Sequence, residues 1–64
     1  MPEYNIIVCT TMGHLLNFVH KPETLESARR WAEELASISG VQHVIVEAQS
    51  SLIIDVFKGP ERDA

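Results

Sequence analysis

The sequence predicts an α+β domain in which a ββαββ chain forms a four-stranded, mainly antiparallel sheet with one amphipathic helix packed on one face. Two observations lead to this prediction. Residues 4–20 and 41–58 are rich in β-branched and aromatic side chains and are each interrupted by turn residues, whereas the stretch between them repeats apolar residues at helical spacing. The domain is predicted to span residues 1–58, and the polar residues 59–64 are predicted to form a flexible tail.

The first hairpin is predicted from residues 4–12 and 15–20, with Gly13 at the first central position of a two-residue type II′ loop. This register places Thr11 opposite Leu16. Side-chain alternation then gives two faces, and both are apolar. One face carries Tyr4, Ile6, Val8, Met12, Leu15 and Val19, and the other carries Ile7, Cys9, Leu16, Phe18 and His20.

A helix is predicted over about residues 24–39, with Thr24 as its N-cap and Gly40 as the residue that ends it in a left-handed conformation. Its apolar arc consists of Leu25, Ala28, Trp31, Ala32, Leu35, Ile38 and Ser39. Trp31 lies at the edge of this arc. It is interpreted as a core residue, with an anchor for a binding partner as the alternative.

The second hairpin is predicted from residues 41–48 and 52–58, joined by a loop at residues 49–51. This loop length pairs Ala48 with Leu52, Val46 with Ile54 and Val44 with Val56, and these six residues form a uniformly apolar face. The reverse face carries His43, Ile45, Glu47, Ile53, Asp55 and Phe57.

The apolar residues on the reverse face predict a protein interface. A single helix is about 10–12 Å wide, whereas four strands are about 19 Å across, so the second face of the sheet stays uncovered. We expect a second copy of the chain to cover it. The predicted contacts are Ile45, Ile53 and Phe57, together with either Ile7, Leu16 and Phe18 or Ile6, Val8 and Val19.

The predicted function is that of a small non-enzymatic module that forms a homodimer and acts by binding another, unidentified protein. The alternative is a small enzyme that uses Cys9, His43 and Asp55 at a dimer interface. Cys9 in mid-strand is typical of a small buried residue. No cysteine or histidine has a recognised metal-ligand spacing, and Gly13 stands alone rather than in a phosphate-binding loop. The sequence therefore predicts no catalytic residue, cofactor or metal.

Charge and composition indicate a cytoplasmic protein that binds neither nucleic acid nor membrane. The net charge is −4, Cys9 is the single cysteine, and the longest apolar run covers four residues, Ile6 to Cys9. A nucleic-acid-associated regulator remains a second alternative. It would require Lys21, Arg29, Arg30 and Lys58 to lie on one continuous surface.

The run Thr24-Leu-Glu-Ser-Ala-Arg-Arg-Trp-Ala-Glu-Glu-Leu-Ala, followed by Ser-Gly40-Val-Gln-His-Val-Ile-Val46, resembles small orphan proteins of bacteria and their bacteriophages. The similarity covers about half of the chain. It implies a small accessory protein that acts on a host protein, in the host cytoplasm where the gene is carried by a phage.

Overall fold

The computed structural model describes residues 3–18 and 21–60, and these form the predicted ββαββ sequence of elements. The elements are β1 (Tyr4–Thr10), β2 (Leu15–Asn17), α1 (Leu25–Ala36), β3 (Val41–Ala48) and β4 (Ile53–Lys58). The four strands form one sheet in the order β2-β1-β3-β4, and every neighbouring pair is antiparallel. The fold class predicted from the sequence is therefore confirmed, and the strand order is new information.

Helix α1 packs on one face of the sheet through small side chains. Ala28, Ala32 and Ala36 recur at every fourth position and are buried. Because a methyl group is short, these residues let the helix axis lie close to the β1 and β3 side chains beneath it. The core consists of Ile6, Val8, Ala28, Ala32, Ala36, Val41, Val44 and Val46.

The helix begins where the sequence predicts but ends earlier. The Thr24 side-chain oxygen accepts a hydrogen bond from the Ser27 backbone N–H at 3.1 Å, which is the expected N-cap. The helix ends at Ala36 rather than at residue 39, and the Ile38 N–H donates to Leu35 O at 3.2 Å in a tighter final turn.

Gly40 is not the residue that ends the helix. The Val41 N–H donates to Ile38 O at 3.2 Å, so Gly40 is the third residue of a four-residue turn that leads into β3. Its φ of +92° is the backbone conformation that a type II turn requires at this position. Gly40 therefore has the predicted positive φ, but it lies in the turn after the helix rather than at the end of the helix.

The first hairpin has a longer loop than the sequence predicted. The Thr10 N–H donates to His14 O at 2.9 Å, which leaves three loop residues with Gly13, at φ +91°, as the last of them. Leu16 consequently pairs with Val8 rather than with Thr11. This odd shift exchanges the side-chain faces of β2 relative to β1. The predicted pairs that involve residues 19 and 20 lie outside the described residues.

The second hairpin follows the prediction at its turn and departs from it beyond a β-bulge. Ala48 N–H donates to Leu52 O at 2.8 Å, as the predicted pairing requires. Glu47 pairs with Ile53, but the preceding residue Val46 pairs with Asp55, so Ile54 is an extra residue in β4.

The predicted pairs of Val46 with Ile54 and of Val44 with Val56 are therefore wrong. Val44 instead pairs with Phe57. The bulge turns Phe57 towards the helix and Val56 away from it. Both Ile54 and Phe57 pack against the core, although a strictly alternating strand would place these two residues on opposite faces.

Candidate protein-binding face

The open face is the side of the sheet opposite α1, and its side chains lie in three rows across the strands. The first row is Leu15, Cys9, His43 and Lys58, the second is Asn17, Ile7, Ile45 and Val56, and the third is Asn5, Glu47 and Ile53. Along β1 and β3 these residues alternate with the core residues Ile6, Val8, Val44 and Val46, which face the helix.

A contiguous apolar area crosses the open face diagonally from β2 to β4, and we call it the apolar patch. It consists of Leu15, Ile7, Ile45, Val56 and Ile53. Leu15 is 67% exposed, Ile53 57% and Val56 45%. Ile7 and Ile45 are half-buried by their neighbours in the sheet. Because the middle row places Ile7, Ile45 and Val56 side by side, the apolar surface is contiguous rather than scattered.

The two ends of the open face are polar and differ in charge. At one end the Asn5 amide donates to the Glu47 carboxylate at 3.1 Å, and the Lys21 ammonium donates to the Asn5 carbonyl oxygen at 2.7 Å. At the other end His43 and Lys58 are cross-strand partners. The third-row end therefore carries a carboxylate with an ammonium group nearby, whereas the first-row end carries Lys58 beside His43.

Of the contacts predicted from the sequence, Ile7, Ile45 and Ile53 lie on the open face. Phe57, in contrast, pairs with the buried Val44, and Leu16 pairs with the buried Val8. The Phe18 N–H donates to Ile6 O at 3.0 Å, which places Phe18 beside Ile6 on the helix side. The expectation that Phe57, Phe18 and Leu16 share a face with Ile45 is therefore wrong.

Leu15 and Val56 belong to the apolar patch but were not among the contacts predicted from the sequence. A sequence signal existed for each. Gly13 also fits the last position of a three-residue loop, and that choice places Leu15 opposite Cys9. Ile53 and Ile54 are adjacent apolar residues that break strict alternation, which is a pattern typical of a bulge.

Trp31 packs on Phe18 at the margin of the core and also reaches the surface. Its ring meets the Phe18 ring edge to face, with centroids 5.5 Å apart and planes at 62°. Trp31 nevertheless remains 38% exposed. The two roles that the sequence left open for this residue are therefore both compatible with its position.

The enzyme alternative uses Cys9, His43 and Asp55, and the structure brings only two of these three residues together. Cys9 and His43 are direct cross-strand partners on the open face. Asp55 pairs with Val46 on the helix side, and its carboxylate accepts a hydrogen bond from Arg29 Nε at 3.2 Å. The prediction that His43 and Asp55 share the reverse face is wrong, because the bulge reverses Asp55.

Cys9 is buried, and this burial raises the pKa of its thiol. Since the thiolate is the reactive form, we expect iodoacetamide to alkylate the native protein at neutral pH far more slowly than the chain unfolded in guanidinium. The rate should rise with pH up to the raised pKa, because the thiolate fraction grows about tenfold per pH unit below it. Mass spectrometry of timed samples measures it, and equal rates in native and unfolded protein would contradict this prediction.

The nucleic-acid alternative requires one continuous surface of Lys21, Arg29, Arg30 and Lys58, and the structure separates these four residues. Arg29 pairs with Asp55 at 3.2 Å, and Arg30 lies 3.6 Å from the Glu26 carboxylate, with both arginines on the helix. Lys21 and Lys58 lie at opposite ends of the sheet, beside Asn5 and His43 respectively.

Residues 3–18 and 21–60 contain no cluster of three or more His, Cys, Asp or Glu side chains that is placed to hold a metal ion. No helix in the same residues combines the length and the apolar character needed to cross a membrane. Comparison with protein-family models, curated proteins and solved structures found no match to this chain.

Proposed function

We propose that this chain is a small non-enzymatic protein-binding domain that acts by placing the open face of its sheet against another protein. The observation that carries the proposal is the apolar patch, which is contiguous and lies opposite the helix. Monomeric proteins seldom expose large contiguous apolar areas, and such areas mark interaction surfaces.

The layout of the open face supports this proposal. Its centre is apolar, whereas Asn5, Asn17, His43 and Lys58 lie towards its margins, which is the arrangement of an apolar interface core with a polar rim. Full burial of an aliphatic side chain is worth about 1.5–3 kcal/mol. Since association costs several kcal/mol, a partner must cover most of the patch at once.

The edges of the sheet are poorer binding sites than its open face. Strand β2 is only three residues long, from Leu15 to Asn17. Strand β4 is interrupted by its bulge, and the Asp55 carboxylate accepts a hydrogen bond from the Val56 backbone N–H at 3.0 Å. Short edges, bulges and satisfied edge N–H groups all disfavour the pairing of an additional strand.

A photo-crosslinking amino acid at position 56, in the full chain and in the producing cell, tests the proposal. Val56 lies in the apolar patch and is 45% exposed, so we expect crosslinks to protein there. The matched control places the same group at position 34, which is exposed on α1, and should give far fewer adducts. Equal yields at the two positions, or no adduct at position 56, would refute a binding role for the open face.

A further inference from the structure

We infer that the protein which covers the open face is a second copy of this chain, packed face to face with its strands antiparallel to those of the first. This inference rests on the proposed function and adds both the partner and the geometry. It predicts that Glu47 of each copy lies over His43 and Lys58 of the other.

The distribution of charge on the open face is the first argument. Lys58 is exposed and has no ion-pair partner among residues 3–18 and 21–60. Glu47 is half-buried, and within the same residues the Asn5 amide is its only side-chain partner. A half-buried carboxylate with a single neutral donor gains from a cation that arrives with a partner.

Lys21 does not provide that cation within the same chain. Its ammonium contacts the Asn5 carbonyl oxygen rather than Glu47. The Tyr4 N–H donates to Pro22 O at 3.0 Å, which places this segment on the β2 side of β1. Glu47 lies on the other side of β1, in β3. Among residues 3–18 and 21–60, therefore, no cation pairs with Glu47, and a second molecule can supply one.

The symmetry of the open face selects one of two simple arrangements. A two-fold axis in the interface plane can lie along the strands or across them. An axis along the strands exchanges β2 with β4 and β1 with β3. It would set Lys58 on Leu15 and Asn17 on Val56, so that Lys58 meets no carboxylate and a polar side chain lies on the apolar patch. Glu47 would meet Asn5, with Lys21 beside it.

An axis across the strands exchanges the first row with the third and packs the middle row on itself. Ile7, Ile45 and Val56 then meet the same residues of the second copy, and Glu47 meets His43. The aliphatic stem of Lys58 covers Ile53, and its ammonium can reach Glu47 on the adjacent strand, about 4.8 Å away. The sheets are then nearly aligned, which is a common packing of two sheets.

Charge reversal in solution tests this arrangement. Wild-type protein should sediment at twice the chain mass of 7.2 kDa. Glu47→Lys and Lys58→Glu should each raise the dimer Kd by about tenfold or more, because each places like charges together at both ends of the interface. An equimolar mixture of the two variants should restore dimers, since each contact between positions 47 and 58 in the heterodimer again joins a carboxylate and an ammonium group.

Glu34→Lys is the matched control, because it makes the same charge change on the exposed surface of α1 and should dimerise like wild type. Circular dichroism checks that each variant is folded. Glu47→Gln, which can still accept a hydrogen bond from Asn5, replaces Glu47→Lys if that variant does not fold, and should weaken the dimer by a smaller factor.

The possible outcomes separate the inference from the proposed function. A wild type that stays monomeric at tens of micromolar, while position 56 crosslinks to a different protein, overturns the inference and leaves the proposed function intact. A dimer whose Kd is unchanged by Glu47→Lys and by Lys58→Glu also overturns the inference, as does an equimolar mixture of the two variants that forms no dimer. A monomer without crosslinks at position 56 refutes both.

Discussion

Val46→Asp is expected to unfold the protein. Val46 is 0% exposed, and it lies beneath the helix in the centre of the core. An aspartate there would be a buried charge next to the Asp55 carboxylate, which already engages Arg29, and such a change costs several kcal/mol. A domain of this size has a total stability of only about 3–10 kcal/mol. Circular dichroism during heating measures this, and the variant should show no cooperative thermal transition.

Ile45→Asp is the control for that experiment, one residue earlier in the same strand. Ile45 is half-buried on the open face, where a carboxylate can remain hydrated in the monomer. We expect this variant to keep a cooperative transition, with a loss of about 1 kcal/mol, and to sediment as a monomer. If both variants unfold alike, or if Val46→Asp stays folded, our assignment of the two sheet faces is wrong.

Gly59→Ala is expected to destabilise the protein substantially, although it adds only one methyl group. An ideal Cβ at Gly59 would overlap the carbonyl oxygen of Val41 and would lie 3.2 Å from Gln42 O. Both atoms belong to the backbone and cannot move aside. The Gly59 N–H also donates to Gln42 O at 2.8 Å, so any shift of β4 weakens this bond. We expect a loss of about 1–3 kcal/mol, the range typical of overpacking.

Gly13→Asn provides the comparison for Gly59→Ala. A Cβ at Gly13 would meet nothing within 4 Å, and its φ of +91° is a conformation that asparagine tolerates better than most residues. We expect its stability in urea titration to fall by no more than about 1 kcal/mol. A Gly59→Ala variant as stable as wild type would show that β4 does not approach Val41 as closely as described.

The sequence alone was sufficient for the kind and order of the elements. Helix α1 begins after Thr24, as predicted, because an N-cap and a helical apolar repeat are properties of consecutive residues. The two hairpins were recognisable for the same reason. The presence of an uncovered apolar sheet face also followed from the sequence, since one helix is narrower than four strands.

Only the tertiary structure decided which residues occupy each face. Pairing β1 with β3 brings together residues far apart in the chain, and no local pattern determines that choice. The bulge at Ile54 lets both Ile54 and Phe57 pack against the core. It also places the Asp55 carboxylate next to Arg29. A single inserted residue reverses every side chain beyond it. For that reason Val56 is exposed on the open face, whereas the larger Phe57 packs under the helix.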